Sequence, residues 1–182
     1  ALVIGIYMRV TRHKLVWNSS ILLGALCICA TTTLFVFGNK LTTAANAIVL
    51  QYTAPVFIIV LMRVFFRKKP EKIDLITCAF VFLGIILFFV DGLTTGGMLG
   101  NALSLLSGLT YAVVFMLGTI PGSDPLSAVF FGQLLSFAAG APQAAMQMDF
   151  SFSALGSMLA LGVLQIGLAY ILFSYAVTKI AP

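Results

Sequence analysis

The chain has 182 residues, of which 61% are hydrophobic and only 8% are charged, and its mean hydropathy is +1.13. Soluble domains carry about 25% charged residues, so this composition excludes an ordinary water-soluble protein. The net charge of +5 leaves nucleic-acid binding to be judged from where the basic residues lie.

Six long apolar stretches follow one another along the chain, and an apolar run at residues 1–8 precedes them. A membrane-spanning helix needs about 20 apolar residues, and it satisfies its own backbone hydrogen bonds in lipid. The sequence therefore predicts an all-α integral membrane protein with about six complete transmembrane helices plus the end of another. Because residues 1–8 are too few to span and residues 180–182 stop where a further span would begin, we expect a piece of a longer protein. The predicted spans are residues 15–39, 41–62, 75–90, 98–118, 125–148 and 150–178.

The basic residues alternate with the spans. Three precede the first complete span, five lie in the loop at residues 63–72, and Lys179 follows the last span, whereas Lys40 lies on the opposite side. Nine of the ten basic residues thus share one face, which the positive-inside rule makes cytoplasmic. This placement makes membrane lipids the expected partners of these charges and argues against nucleic acid.

An internal repeat links the two halves of the chain. Aligning residues 19–35 with residues 157–173 gives seven identical positions among seventeen, including Gly24 with Gly162 and Phe35 with Phe173. Five spans separate the two copies, so they cross the membrane in opposite directions. Inverted repeats of this kind are typical of secondary transporters, and a five-span repeat predicts ten helices in a 5+5 arrangement. Residues 1–92 would belong to the first repeat and residues 98–182 to the second.

Two segments resemble a known family. Residues 37–57, FGNKLTTAANAIVLQYTAPVF, resemble the junction between the third and fourth helices of EamA-type transporters in the drug/metabolite transporter superfamily, and residues 162–182 resemble the eighth. Many members carry an acid soon after the fourth helix, where this chain has residues 65–69, FFRKK, and then Glu71. The resemblance implies a ten-helix carrier with both termini cytoplasmic that moves small metabolites, often outward.

Solute recognition must use neutral side chains, because all five acids and His13 lie at span ends or in loops. One face of the fourth complete span carries Asn101, Ser104, Gly108, Tyr111 and Phe115 at helical spacing. This face either lines a cavity or packs against a neighbouring helix.

Glutamines in two other spans offer further polar groups. Gln51 and Pro55 share a face of one span, and Pro55 either exposes a backbone carbonyl or bends the helix. Gln51 and Gln165 either line a cavity or form hydrogen bonds with neighbouring helices. By contrast, the small residues Gly132, Ser136 and Gly140 predict close helix packing. The candidate substrate-binding residues are Gln51, Tyr111, Gln165, Asn101, Pro55 and Tyr170, with no catalytic residue, metal or cofactor expected.

Three classes of function remain open on the sequence alone. A secondary transporter of small metabolites or drug-like solutes, working by alternating access, fits the inverted repeat. A lipid-modifying membrane enzyme normally needs catalytic or metal-binding groups at membrane depth, and the covered spans contain no histidine or carboxylate. A membrane sensor or receptor is compatible with the composition. We expect a multi-pass protein of the plasma membrane, such as a bacterial inner membrane, with a small-molecule substrate, and the interpretation allows for a homodimer.

Overall fold

The computed structural model describes residues 1–90, 97–147 and 152–180, and these residues form helices joined by short turns. No strand occurs within these ranges. The predicted all-α polytopic membrane fold is therefore confirmed. The α-helices are α1 (Leu2–Val10), α2 (Ser19–Leu41), α3 (Ala44–Gln51), α4 (Ala54–Phe65), α5 (Lys72–Val90), α6 (Met98–Met116), α7 (Pro125–Gln147), α8 (Phe152–Ala160) and α9 (Ala169–Ile180).

The number of spans needs a correction. Across the described residues, five helices are long and apolar enough to cross a membrane, against about six predicted. The predicted span at residues 75–90 forms most of α5, but α5 has 19 residues with Lys72 and Asp74 in its first turn. Residues 75–90 are the predicted span that is not among these five. The five spans are Ser19–Leu41, Ala44–Phe65, Met98–Thr119, Pro125–Met146 and Leu155–Phe173.

Two of the spans that the sequence predicts as continuous helices are divided in the structure. The span at residues 41–62 is interrupted at Tyr52 and Thr53, between α3 and α4. The span at residues 150–178 contains a π-helical segment, Leu161–Leu168, between α8 and α9. Wider turns of this kind are rare and are often found at functional sites.

One compact unit, unit 2, comprises Ala30–Met116. In this unit the second half of α2 runs antiparallel to α6, because Thr31 hydrogen-bonds Thr110 at 2.7 Å and Thr42 hydrogen-bonds Asn101 at 2.7 Å. Helices α3 and α4 both pack against α6. Helix α6 thus contacts the second half of α2, α3 and α4, whereas α5 packs against α4.

The other compact unit, unit 1, comprises Ala1–Cys29 with Leu117–Pro182. Helix α1 lies parallel to the π-helical segment and to α9. Val3, near the start of α1, contacts Gly167 of the π-helical segment. Further along α1, Tyr7 lines a cavity together with Ile171 and Tyr175 of α9. This cavity also includes the loop from which α2 starts. The direction of α2 relative to α9, which an inverted repeat requires to be opposite, stays a prediction. Superposition of the two copies, and the repeat boundaries at residues 92 and 98, stay predictions.

Candidate functional site

The break between α3 and α4 is the first candidate site, and Pro55 explains it. Proline has no backbone N–H, so the carbonyl of Gln51 loses the donor that it would have in a continuous helix. Thr53 closes α3 instead: its hydroxyl donates to the carbonyl of Leu50 at 2.7 Å, and its amide donates to the same oxygen at 3.2 Å. The break lies close to the middle of the span Ala44–Phe65.

Helix α6 meets this break at Gly108. A methyl group on the Cα of Gly108 would lie 2.9 Å from the carbonyl oxygen of Gln51 and 3.2 Å from that of Leu50. It would also lie 3.2 Å from the Thr53 hydroxyl. Because these distances are shorter than ordinary contacts of about 3.5–4.0 Å, only glycine allows the backbone of α6 to approach the broken helix this closely.

Side chains around the break combine polar and aromatic groups. Gln51 and Pro55 are half-buried, and Tyr52 is 68% exposed. Tyr111, one turn beyond Gly108 on α6, is half-buried and packs edge-to-face with Phe115 at a ring-centroid distance of 4.6 Å. The structure thus places Gln51 and Pro55 at the break, and Tyr111 one turn beyond the contact that Gly108 makes with the break.

Asn101 has a different setting at the start of α6. Its amide oxygen accepts a hydrogen bond from the hydroxyl of Thr42, which in turn accepts one from the side-chain amide of Asn46 at 3.3 Å. Asn46 is buried, and Ser104, one turn after Asn101, is fully buried with its hydroxyl on the carbonyl of Gly100. These contacts favour the helix-packing alternative for this end of the α6 face, and they leave the substrate-binding role of Asn101 a prediction.

Sequence interpretation missed Thr42 and Asn46, although a signal was present. Thr43 accepts a hydrogen bond from the backbone amide of Asn46 and caps α3. A threonine three residues before a polar residue at the start of an apolar run is typical of a helix N-terminus. This cap marks α3 as a new helix, which brings Asn46 into the turn beside Thr42.

Gln165 and Tyr170 belong to unit 1. Gln165 lies in the π-helical segment, and its side chain is exposed with no hydrogen-bond partner among the described residues. Tyr170 is half-buried and packs edge-to-face with Phe173 at 6.3 Å between ring centroids. The six candidate residues are thus divided between the units, with Gln51, Pro55, Asn101 and Tyr111 in unit 2, and their common role in substrate binding stays a prediction.

Within the small-residue stripe of α7, the end at Gly132 packs closely against α2. A methyl group on Gly132 would lie 2.7 Å from the Cβ of Ile28 on α2, and Ser136 donates its hydroxyl hydrogen bond to the carbonyl of Gly132. Gly140, in contrast, has no atom within 4 Å of the position where its Cβ would be. Close approach of α2 and α7 therefore depends on Gly132 rather than on the whole stripe.

Groups that could support catalysis or metal binding are sparse in the described part of the chain. No three His, Cys, Asp or Glu side chains cluster there as a metal site would need. The one ion pair in these ranges joins His13 and Asp124, with 2.9 Å between His13 Nε2 and Asp124 Oδ2. Neutral polar and aromatic groups therefore dominate the break, as the sequence predicts for solute recognition.

A comparison with known protein families gives a match. The EamA-like transporter family model matches residues 1–90. No curated protein sequence matches the chain, and no solved structure matches it.

Proposed function

We propose that the chain is a secondary transporter of small metabolites or drug-like solutes, because the EamA-like transporter family model matches residues 1–90 and five helices of the described residues are long and apolar enough to cross a membrane. In this proposal the solute crosses by alternating access, in which a central site opens to one side of the membrane at a time. The matched range, residues 1–90, ends close to the boundary of the first predicted repeat at residue 92. This agreement supports the 5+5 arrangement on which the mechanism rests.

The helix break at Tyr52 and Thr53 is the observation that carries the proposal. Secondary transporters commonly bind their solutes near the bilayer midplane, where interrupted helices present backbone groups that no helical partner satisfies. Here the interruption falls near the middle of its span, and Pro55 frees the carbonyl of Gln51. Gln51 and Tyr111 beside it offer donors, an acceptor and a ring without introducing a charge at membrane depth.

The proposed setting is a plasma membrane, such as a bacterial inner membrane, with the loop at residues 63–72 in the cytoplasm. The substrate is a small solute that neutral polar and aromatic side chains can bind, and membrane lipids surround the apolar faces. The exposed basic residues of the loop suit the cytoplasmic face and contact with anionic lipid. A homodimer is compatible with this setting, and size-exclusion chromatography with light scattering of the purified protein tests it.

Flux measurements on glutamine variants test the proposed site. The intact protein and its Gln51→Ala and Gln165→Ala variants are reconstituted in liposomes, and uptake of labelled amino acids, nucleosides, sugars and an amphipathic drug is measured. Gln143→Ala is the matched control, because Gln143 is an exposed glutamine of α7 outside the proposed site. Thermal stability in detergent is recorded for each variant in parallel.

Two outcomes separate binding from packing. Substrate-binding glutamines give a lower flux per folded molecule at unchanged stability, since a polar group that faces water loses no buried partner. Packing glutamines give a stability loss of about 0.6–2 kcal/mol per interhelical hydrogen bond with unchanged flux. The second result in both variants would remove these glutamines from the proposed site.

A further inference from the structure

A cavity of about 180 Å³ lies at one end of unit 1. For comparison, an engineered apolar cavity of about 150 Å³ holds a benzene molecule, so this cavity has room for a solute of about one ring. Its walls combine aliphatic side chains with hydroxyl groups, an imidazole and a carboxylate. The lining residues are Tyr7, Thr11, His13, Asp124, Leu126, Ile171 and Tyr175.

Two local motifs bring His13 and Asp124 to this cavity. Helix α1 ends in a turn in which Arg12 has a φ of +53° and the amide of His13 donates to the carbonyl of Met8 at 2.9 Å. This is the Schellman pattern, which reverses the chain direction immediately after a helix. Asp124 caps α7 from just before Pro125: its carboxylate accepts hydrogen bonds from the amide and the hydroxyl of Ser127.

The His13–Asp124 contact joins the loop that follows α1 to the loop that precedes α7. His13 is 37% exposed and Asp124 is 15% exposed, so the pair lies at the rim of the cavity rather than within the core. Burial alone would raise the pKa of Asp124, but hydrogen bonds from Ser127 and His13 outweigh burial and lower that pKa. Asp124 is therefore ionised and available to His13 at neutral pH.

Further contacts tie the same two loops together. The amide of Val16 donates to the Ser127 hydroxyl at 3.2 Å, and the side-chain amide of Asn18 donates to the carbonyl of Gly122 at 2.5 Å. These contacts lie outside the residues that line the cavity. Removing His13 would thus leave the loops anchored while releasing the contact at the rim.

We propose that this cavity is a vestibule of the transport pathway that admits a small polar solute, and that the His13–Asp124 pair is its gate. The inference rests on the proposed transport function and adds a second solute-accessible site to the helix break. The hydroxyl of Tyr7 and the Asp124 carboxylate suit a solute with hydrogen-bond donors and acceptors, and Leu126 and Ile171 suit its apolar part. By the charge placement along the chain, the vestibule opens to the cytoplasm.

Accessibility of the cavity wall tests the gate. Ile171, half-buried in the wall, is replaced by cysteine in the intact protein after Cys27, Cys29 and Cys78 are changed to alanine. Inside-out vesicles then expose the cytoplasmic face to a membrane-impermeant thiol reagent, and the rate of labelling is measured. His13→Ala removes one partner of the gate but leaves Asp124 its bonds from Ser127.

A faster rate in His13→Ala, by about two- to ten-fold, is the expected result, because a partly exposed ion pair and its hydrogen bond stabilise the closed state only modestly. His13→Gln, whose amide can still donate to Asp124, should restore most of the slow rate. Lys14→Ala is the matched control, since Lys14 is an exposed basic residue of the same loop that does not line the cavity.

Equal labelling rates in the starting protein and in His13→Ala would overturn the gate, as would an equal increase in Lys14→Ala. If His13→Ala fails to fold, Asp124→Asn provides the same comparison, because asparagine is also a good helix cap. Solute flux by the protein with His13 intact is measured separately. Its absence would remove the transport function, whereas flux without any change in labelling would remove the gate alone.

Discussion

Replacing Gly108 by alanine tests the close contact between α6 and the break in the neighbouring helix. The added methyl group would lie 2.9 Å from the Gln51 carbonyl oxygen, roughly 0.5 Å closer than an ordinary contact. Backbone lies on both sides of this contact, so relief requires the helices to move apart. Such overpacking costs about 1–3 kcal/mol, while alanine in place of glycine stabilises a helix by about 0.8–1 kcal/mol.

Gly84 provides the matched control, because it lies within α5 and no atom lies within 4 Å of the position that its Cβ would occupy. Gly84→Ala should therefore show only the gain in helix stability. The difference between the two variants isolates the overpacking term of about 1–3 kcal/mol, which corresponds to about 2–12 °C in Tm for a chain of this size. Thermal unfolding in detergent measures it. Equal Tm values for the two variants would refute the close approach at Gly108.

Three further predictions concern the polar contacts and the orientation. Thr42→Val should lower the free energy of unfolding by about 0.6–1.7 kcal/mol, because the hydrogen bond to Asn101 is lost. Thr42→Ser keeps the hydroxyl and should not lower it. A double-mutant cycle with Asn101→Ala measures the coupling energy. The pKa of Asp124 is below its ordinary value of 3.8, so its ionised form stabilises the fold above that pH and this contribution is lost as the pH falls below 3.8. The Tm difference between the wild type and Asp124→Asn should therefore be present at pH 7 and should shrink below pH 3.8. On intact cells, an impermeant thiol reagent should label a single cysteine beside Lys40 but not one beside Lys69. The reverse pattern would invert the predicted topology.

Apolar length was sufficient to predict the helical membrane fold. The long apolar stretches became helical, since an unsatisfied backbone is too costly in lipid for other structures to compete. At Pro55 the sequence left open an exposed carbonyl or a bend, because a proline signal does not say whether the chain will kink or start a new helix. Thr53 decides this locally by capping Leu50, and Gly108 accommodates the result from a distant part of the chain.

Contacts between distant segments were the part that the sequence could not supply. His13 and Asp124 were both placed in loops or at span ends, but their separation of 111 residues gives no pairing signal. Asn101 was considered for solute binding because its spacing matched that of Tyr111. The hydrogen bond from Thr42 depends on how α2 packs against α6, which periodicity along one helix does not specify. The π-helical segment around Gln165 likewise has no distinctive sequence pattern.

Counterflow in liposomes tests the central claim most directly. Vesicles that contain the intact protein are loaded with an unlabelled solute and diluted into a trace of the same solute in labelled form. A carrier that works by alternating access returns with labelled solute each time it releases an unlabelled molecule, so the label should rise transiently above its equilibrium level inside the vesicles. We expect this overshoot for at least one of the amino acids, nucleosides, sugars or amphipathic drugs proposed above. Simple equilibration without an overshoot for every solute, at the rate of protein-free vesicles, would contradict the assignment as a secondary transporter.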